Sequence, residues 1–193
     1  MPAMDTEDSL RDRLVTAGTD LLEQTGAAHL TLRAIARHTG VSHGAPRRHF
    51  PTHASLLAAV AARGFADLRT GFDACAGPTS RLRIERMALE YVRFAAQRPE
   101  MFTLMFRHDL LEGSGENLRR RTAPTYREWS DLVAECIPND GPHRALRLWS
   151  SVHGIAILTA NRSLELIAPE TNPRTLVAEV VARELGPTST PSR

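Results

Sequence analysis

The run LTLRAIARHTGVSHGAPRRHFPTHASLL, residues 30–57, constrains the fold more than any other stretch. Thr31 can cap a helix, because its hydroxyl accepts from a backbone N–H that the first turn leaves unpaired. Leu32, Ile35 and Ala36 follow at helical spacing. Gly40 ends that helix, where a sharp turn needs a left-handed residue. Val41 is an apolar plug after the turn, and Ser42 is placed to cap a second helix over 43–49. Ala36 is small where two helices must cross closely. A helix, a tight turn and a second short helix in this order form a helix-turn-helix, whose second helix enters the major groove of DNA.

The charge of the same region agrees. From Gln24 to Ala66 there is no Asp or Glu, while Arg33, Arg37, Arg47, Arg48 and Arg63 fall inside it with His29, His38, His43, His49 and His53. The whole chain carries a formal net charge of only +2, so one acid-free segment has been set apart. Phosphate contacts require such a segment, since they supply most non-specific affinity for nucleic acid. A solvated basic face on an ordinary helical bundle would show the charge, but not the cap, turn and plug.

A length of 193 residues allows one large domain or two small ones, with a core that needs no staples. Cys75 and Cys136 form no C-x-x-C pair and lie in apolar helical patterns, which predicts buried free thiols in a reducing compartment and a cytoplasmic location. The start of the chain has no apolar core of the signal-peptide kind. No stretch is apolar enough to cross a membrane, because His153 and Arg162 interrupt the best candidate. Strand signals are nearly absent, so the expected fold is all-α.

Residues 1–8 are polar and are expected to fray. Ser9 can cap a first helix to Thr25, with Leu10, Leu14, Ala17, Leu21 and Leu22 as its apolar stripe. It would complete a three-helix DNA-binding head over 9–54. Its Arg11 and Arg13 lie either near phosphate or simply in water. Thr52 caps a helix through Leu57, Val60, Gly64, Leu68 and Phe72, too long to belong to the head alone. It opens a helical body over 55–186. The next helix is predicted over Ser80 to Gln97. Pro99 suits the first turn of a short helix bearing Met101, Phe102 and Met105, which are either core or pocket wall.

Residues 109–116 read as a loop, and 117–136 as a helix broken at Pro124, since proline lacks the donor and clashes one turn back. Tyr126 and Trp129 follow that break. The most apolar helix is predicted over 142–166, with Leu146, Trp149, His153 and Ala156 on one face and Leu148, Val152 and Ile155 on another. A helix apolar on two faces must be buried on two sides, by its own core and by a ligand or a second subunit. Asn172-Pro173 starts a last helix to Leu185, and Gly186-Pro187 stops it. The tail over 187–193 has the composition of a disordered segment.

Laid out this way, the chain resembles the TetR family of transcriptional repressors over almost its whole length. The match is most specific over LTLRAIARHTGVSHGAPRRHFPTHASLLAAVAARGF. A weaker match, ALRLWSSVHGIAILTANRSL, is similar to a Trp-x-x-x-His-Gly pattern in one branch of that family's C-terminal domains. The resemblance implies a homodimer whose subunits each join a DNA-reading head to a helical body that binds a small molecule and dimerises. The helices over 142–166 and 173–185 would form an intersubunit four-helix bundle. Two-fold symmetry would then match a roughly palindromic operator in double-stranded DNA.

Carried over by position, Thr31 and Arg33 would start the supporting helix near DNA. Ser42, His43, Gly44, Ala45, Arg47, Arg48 and His49 would lie on or beside the reading helix, and His53 at the next helix start. Family members usually carry Tyr at the position of Arg47 and Lys at that of His53. Arg47 brings more charge or a bidentate guanine contact, and His53 a weaker, pH-dependent contact. The effector implied is small and mostly apolar, walled by Met101, Phe102, Met105, Tyr126, Trp129, Trp149 and His153. It would release the operator by favouring a head spacing that fits DNA poorly.

Two other readings compete. An interaction module could keep this fold and lose DNA reading, given the departures at Arg47 and His53. An all-helical enzyme would need a catalytic constellation, and the chain offers no nucleophile motif, no cofactor fingerprint and no metal spacing with a partner acid.

Overall fold

The computed structural model describes residues 3–186, and it is helical throughout, with no strand among the described residues. The helices are α1 (Ala3–Thr25), α2 (Leu32–Thr39), α3 (Ala45–His49), α4 (His53–Asp73), α5 (Ser80–Gln97), α6 (Pro99–Met105), α7 (His108–Leu111), α8 (Arg119–Cys136), α9 (Gly141–Ala160), α10 (Ser163–Ile167) and α11 (Pro173–Leu185). They group into two compact units. One comprises the chain up to Asp67 together with Arg98–Arg121, and the other Leu68–Gln97 together with the chain from Thr122. This grouping does not follow chain order: α6, α7 and the loop after them group with α1, α2 and α3.

In the first unit α1 packs on α2, α3 and α6. Leu14, Leu22, Ile35, Ala36, Leu56 and Val60 are buried at its centre. Gly18 makes the close crossing possible, since a Cβ there would lie 2.9 Å from Val60 Cγ2. Arg98 and Glu23 tie α6 to this core. In the second unit α5 lies against α9 and α11, burying Ile84, Met87, Ala88, Leu148, Val152, Ala156, Val177 and Val181. On α8, Glu128 accepts from both Arg69 of α4 and Arg83 of α5. No helix among the described residues is long and apolar enough to cross a membrane.

Several boundaries differ from the sequence expectations. Helix α1 starts at Ala3, not Ser9. The second helix of the helix-turn-helix is shorter at its start: α3 begins at Ala45, and Ser42 offers its carbonyl to the Ala45 N–H rather than its hydroxyl as a cap. Pro46 therefore sits in the first turn, where a missing N–H removes no bond and the fixed φ suits the helix. Helix α8 runs through Pro124 without a break. Its proline lies early enough that only bonds near the helix start are lost. Residues 108–111, read mostly as loop, form the helical turn α7.

The long apolar helix is also divided. Arg162 adopts φ 60°, the one positive-φ non-glycine residue among those described, and it separates α9 from α10. Asn161 Oδ1 then accepts from the Ser163 N–H at 3.0 Å, starting the new helix. Asn172 caps α11 as expected, accepting from the Arg174 N–H at 2.9 Å. The thiols of Cys75 and Cys136 are free but only half-buried, and burial raises both above the usual cysteine range. The expected tail over 187–193 lies outside the described residues.

Candidate nucleic-acid interface

The head is built by local rules. The Thr31 hydroxyl accepts from the Ala34 N–H at 3.1 Å, fixing the start of α2. Gly40 stands at φ 70°, and its N–H and that of Val41 close on the last carbonyls of α2. The turn directs α3 outward. Arg33, Ser42, His43, Gly44, Arg47 and Arg48 are all exposed, and Ala45 and His49 are half-buried. Pro46 and Phe50 face inward instead, buried against the core. A short helix with one buried flank and a run of cations on the other can meet a polyanion without losing its own packing.

Gly44 is informative because the fold does not require it. Its φ is −84°, and a Cβ built there would meet nothing within 4 Å. Glycine at this point leaves room for an approach from outside the protein, as a backbone pressed against a groove wall needs.

His53 lies in the first turn of α4, where its Nε2 is 2.6 Å from the Leu30 carbonyl oxygen. The carbonyl only accepts, so Nε2 donates to it, and an outside phosphate can be met only through a further proton on Nδ1. Thr52 and Ser55 close a reciprocal cap around the same turn. Arg11 of α1 stacks over the Phe50 ring at 5.5 Å and pairs with Glu116 at 3.4 Å. Arg11, read from the sequence as near phosphate or in water, thus has partners within the protein.

The seven residues expected to wall an effector divide between the units. Met101, Phe102 and Met105 are buried in the first. The two methionines occupy the space over Gly64 of α4, where a Cβ would come within 2.5 Å of the Met101 sulfur. Tyr126, Trp129, Trp149 and His153 are gathered in the second. The Trp149 ring lies 5.8 Å from Tyr126 and 5.6 Å from Trp129, both edge-on. Trp129 is buried, and its indole N–H donates to the Ala145 carbonyl at 3.1 Å, so it packs α8 onto α9.

Tyr91 was missing from the expected set. Its ring sits 5.0 Å from Trp149, and its hydroxyl is 2.9 Å from His153 Nδ1. Burial raises the Tyr91 phenol above the usual tyrosine range and lowers His153 below the usual histidine value. Both are held neutral, so the phenol O–H donates to Nδ1 and the imidazole keeps its proton on Nε2. Tyr91 reads in sequence as one more inward aromatic on α5. Only its pairing with a histidine sixty-two positions away marks it. Among the described residues no group of His, Cys, Asp or Glu is placed to hold a metal ion.

Known proteins resemble the chain in both parts. Residues 14–60 match the family described as bacterial regulatory proteins, tetR family. Residues 84–183 match the tetracyclin repressor-like C-terminal domain. A protein of unknown function from Rhodococcus sp. RHA1 shares the fold with a TM-score of 0.79, at 28% identity over 91% of this chain and 93% of that one. A bacterial regulatory protein in the tetR family from Rhodococcus RHA1 aligns with a TM-score of 0.65, at 19% identity over 91% of this chain and 94% of that one. Nucleoid occlusion factor SlmA of Marinomonas sp. (strain MWYL1) is 30% identical over 118 residues, which cover 60% of this chain and 59% of that protein's length.

Proposed function

Because the chain belongs to the TetR family of bacterial regulatory proteins, we propose that it is a ligand-released repressor acting in the cytoplasm without enzymatic activity. It binds a roughly palindromic operator as a homodimer. The observation that carries the reading is the exposed, acid-free surface of α2 and α3 on a turn fixed by Thr31 and Gly40. Thr31, Arg33, Arg48, His49 and His53 position the head on phosphate. Ser42, His43, Gly44, Ala45 and Arg47 face the base edges, and Arg47 reads a guanine.

The second subunit packs on the outer faces of α9, α10 and α11. Leu166 and Ile167, neighbours on α10, and Leu146 on α9 support this, because they are 85%, 68% and 54% exposed in the single chain and large exposed apolar groups favour a cover. The effector lies against the half-buried Tyr126, Trp149 and His153. Trp129 shapes that region from within the packing, whereas Met101, Phe102 and Met105 belong to the core of the other unit. The effector is small and largely apolar.

The test is an anisotropy titration of the full-length protein against labelled duplex from the region flanking its own gene. Specific binding that falls steeply with added salt supports the reading. No binding even at low salt would favour an interaction module that has lost DNA recognition. Sedimentation of Leu166→Glu beside wild type tests the dimer: a shift toward monomer is expected, and an unchanged profile rejects that interface.

A further inference from the structure

The acid-free stretch of the head is bounded by Glu23 before it and Asp67 after it. These two carboxylates meet at one arginine from outside the stretch. Arg98 Nη1 donates to Asp67 Oδ2 at 2.8 Å, and its Nε lies 3.8 Å from Glu23 Oε1. Glu23 does a second thing. Its two carboxylate oxygens accept from the backbone N–H groups of Met101 at 3.0 Å and Glu100 at 3.3 Å. It is thus the N-terminal cap of α6, supplied by α1 because Arg98, at the capping position, makes no side-chain bond there. All three side chains are about one-quarter to one-third exposed, so water screens them only in part.

From this the geometry points to Arg98, Glu23 and Asp67 as a staple that closes the two ends of the DNA-reading segment. Its role is to hold the head in the arrangement competent for binding. Every element between its two anchored ends, α2 and α3 included, hangs from α1 at one side and α4 at the other. Fixing both ends on a third point limits how the reading helix is presented. Releasing the staple spreads the head over more arrangements, and apparent affinity falls with the fraction that is competent. Glu23 and Asp67 are positioning residues, on α1 and α4 rather than on α2 or α3. Being tied to α6, they also link the reading segment to an element outside the head's own sequence. The inference rests on the DNA-reading function proposed above.

The sign of the effect makes it testable. Glu23 and Asp67 are negative charges in a head that must approach a polyanion. Their removal would strengthen DNA binding if they acted only through the electrostatic field. The staple predicts the opposite. Glu23→Ala and Asp67→Ala should each weaken binding by about three- to tenfold. Glu23→Gln and Asp67→Asn carry the same charge as the alanine variants but keep an acceptor, and should recover part of the loss. Hydrogen exchange at the Glu100 and Met101 amides should quicken in Glu23→Ala and be partly restored in Glu23→Gln.

Binding that tightens or stays unchanged in both alanine variants overturns the staple. So does equal behaviour of Ala and Gln at position 23. If the wild-type protein binds no duplex at all, the DNA-reading function fails instead. The exchange measurement then still decides whether Glu23 caps α6: unchanged protection in Glu23→Ala overturns the inference on its own. Should Glu23→Ala not fold, the Asp67 pair carries the same sign test: Asp67 caps nothing, and the Arg63 that it also binds at 2.9 Å would, once released, strengthen binding to a polyanion rather than weaken it.

Discussion

The reading head and the aromatic centre of the second unit use side chains in opposite ways. On α2 and α3 the residues that matter point outward, and a local backbone device holds each element in place: the Thr31 cap, the Gly40 turn and the Pro46 first turn. Around Trp149 the residues that matter point at one another, from α5, α8 and α9, and hold each other in place. The first arrangement puts charge at a surface whose shape is set elsewhere. The second makes the shape itself out of long-range contacts. A substitution should therefore change binding without stability in one region, and stability first in the other.

The largest test of this contrast is Trp129→Ala. The residue is 1% exposed and bonded to Ala145, so its truncation should lower unfolding free energy by about 3–5 kcal/mol. Urea melts followed by circular dichroism would measure it, and a loss below about 1 kcal/mol would erase the distinction. Next comes Arg33→Ala with Arg47→Ala. Each should weaken operator binding by about 1–3 kcal/mol if it reads a base, or lower the salt slope by about one if it meets phosphate. The melts should stay unchanged, and a large stability loss would place these arginines among the groups that hold the fold together.

Gly40→Ala probes the local device itself. At φ 70° a Cβ is strained although nothing lies within 4 Å of it, and the expected loss is about 1–2 kcal/mol. A neutral result would mean that the turn can relax without disturbing the head. The smallest effect concerns acid. Burial lowers His153 below its ordinary value of 6.5, so below that value the unfolded chain takes up the extra proton more readily. Stability should be flat above about pH 7 and fall as pH drops through the mid-sixes. His153→Gln, which can still bond Tyr91, should shrink the difference in urea midpoint between about pH 5 and about pH 8.

Particular residues show where the sequence could be read. Thr31, Gly40, Thr52, Pro99 and Asn172 each announced a helix end, because caps and turns depend on a few adjacent residues. Pro124 and Ser42 misled for a related reason: a proline's effect depends on which turn it occupies, and a serine's on whether the helix starts beside it. The run 142–166 read as one helix because periodicity carries no sign of the left-handed Arg162. Tyr91 could not be singled out from the other inward positions of α5 without its partner on α9.

The sequence by itself determined an all-helical chain, the head with its turn, and the acid-free segment with its run of cations, since these follow from neighbours within a turn or two and from charge counted along the chain. Tertiary structure alone decided that residues 98–121 belong with the head, that the Tyr91 phenol meets His153, and that Glu23 and Asp67 converge on Arg98. Those pairings join positions far apart in the chain. Many partners would satisfy the same side chains, and only the packing of whole helices selects one.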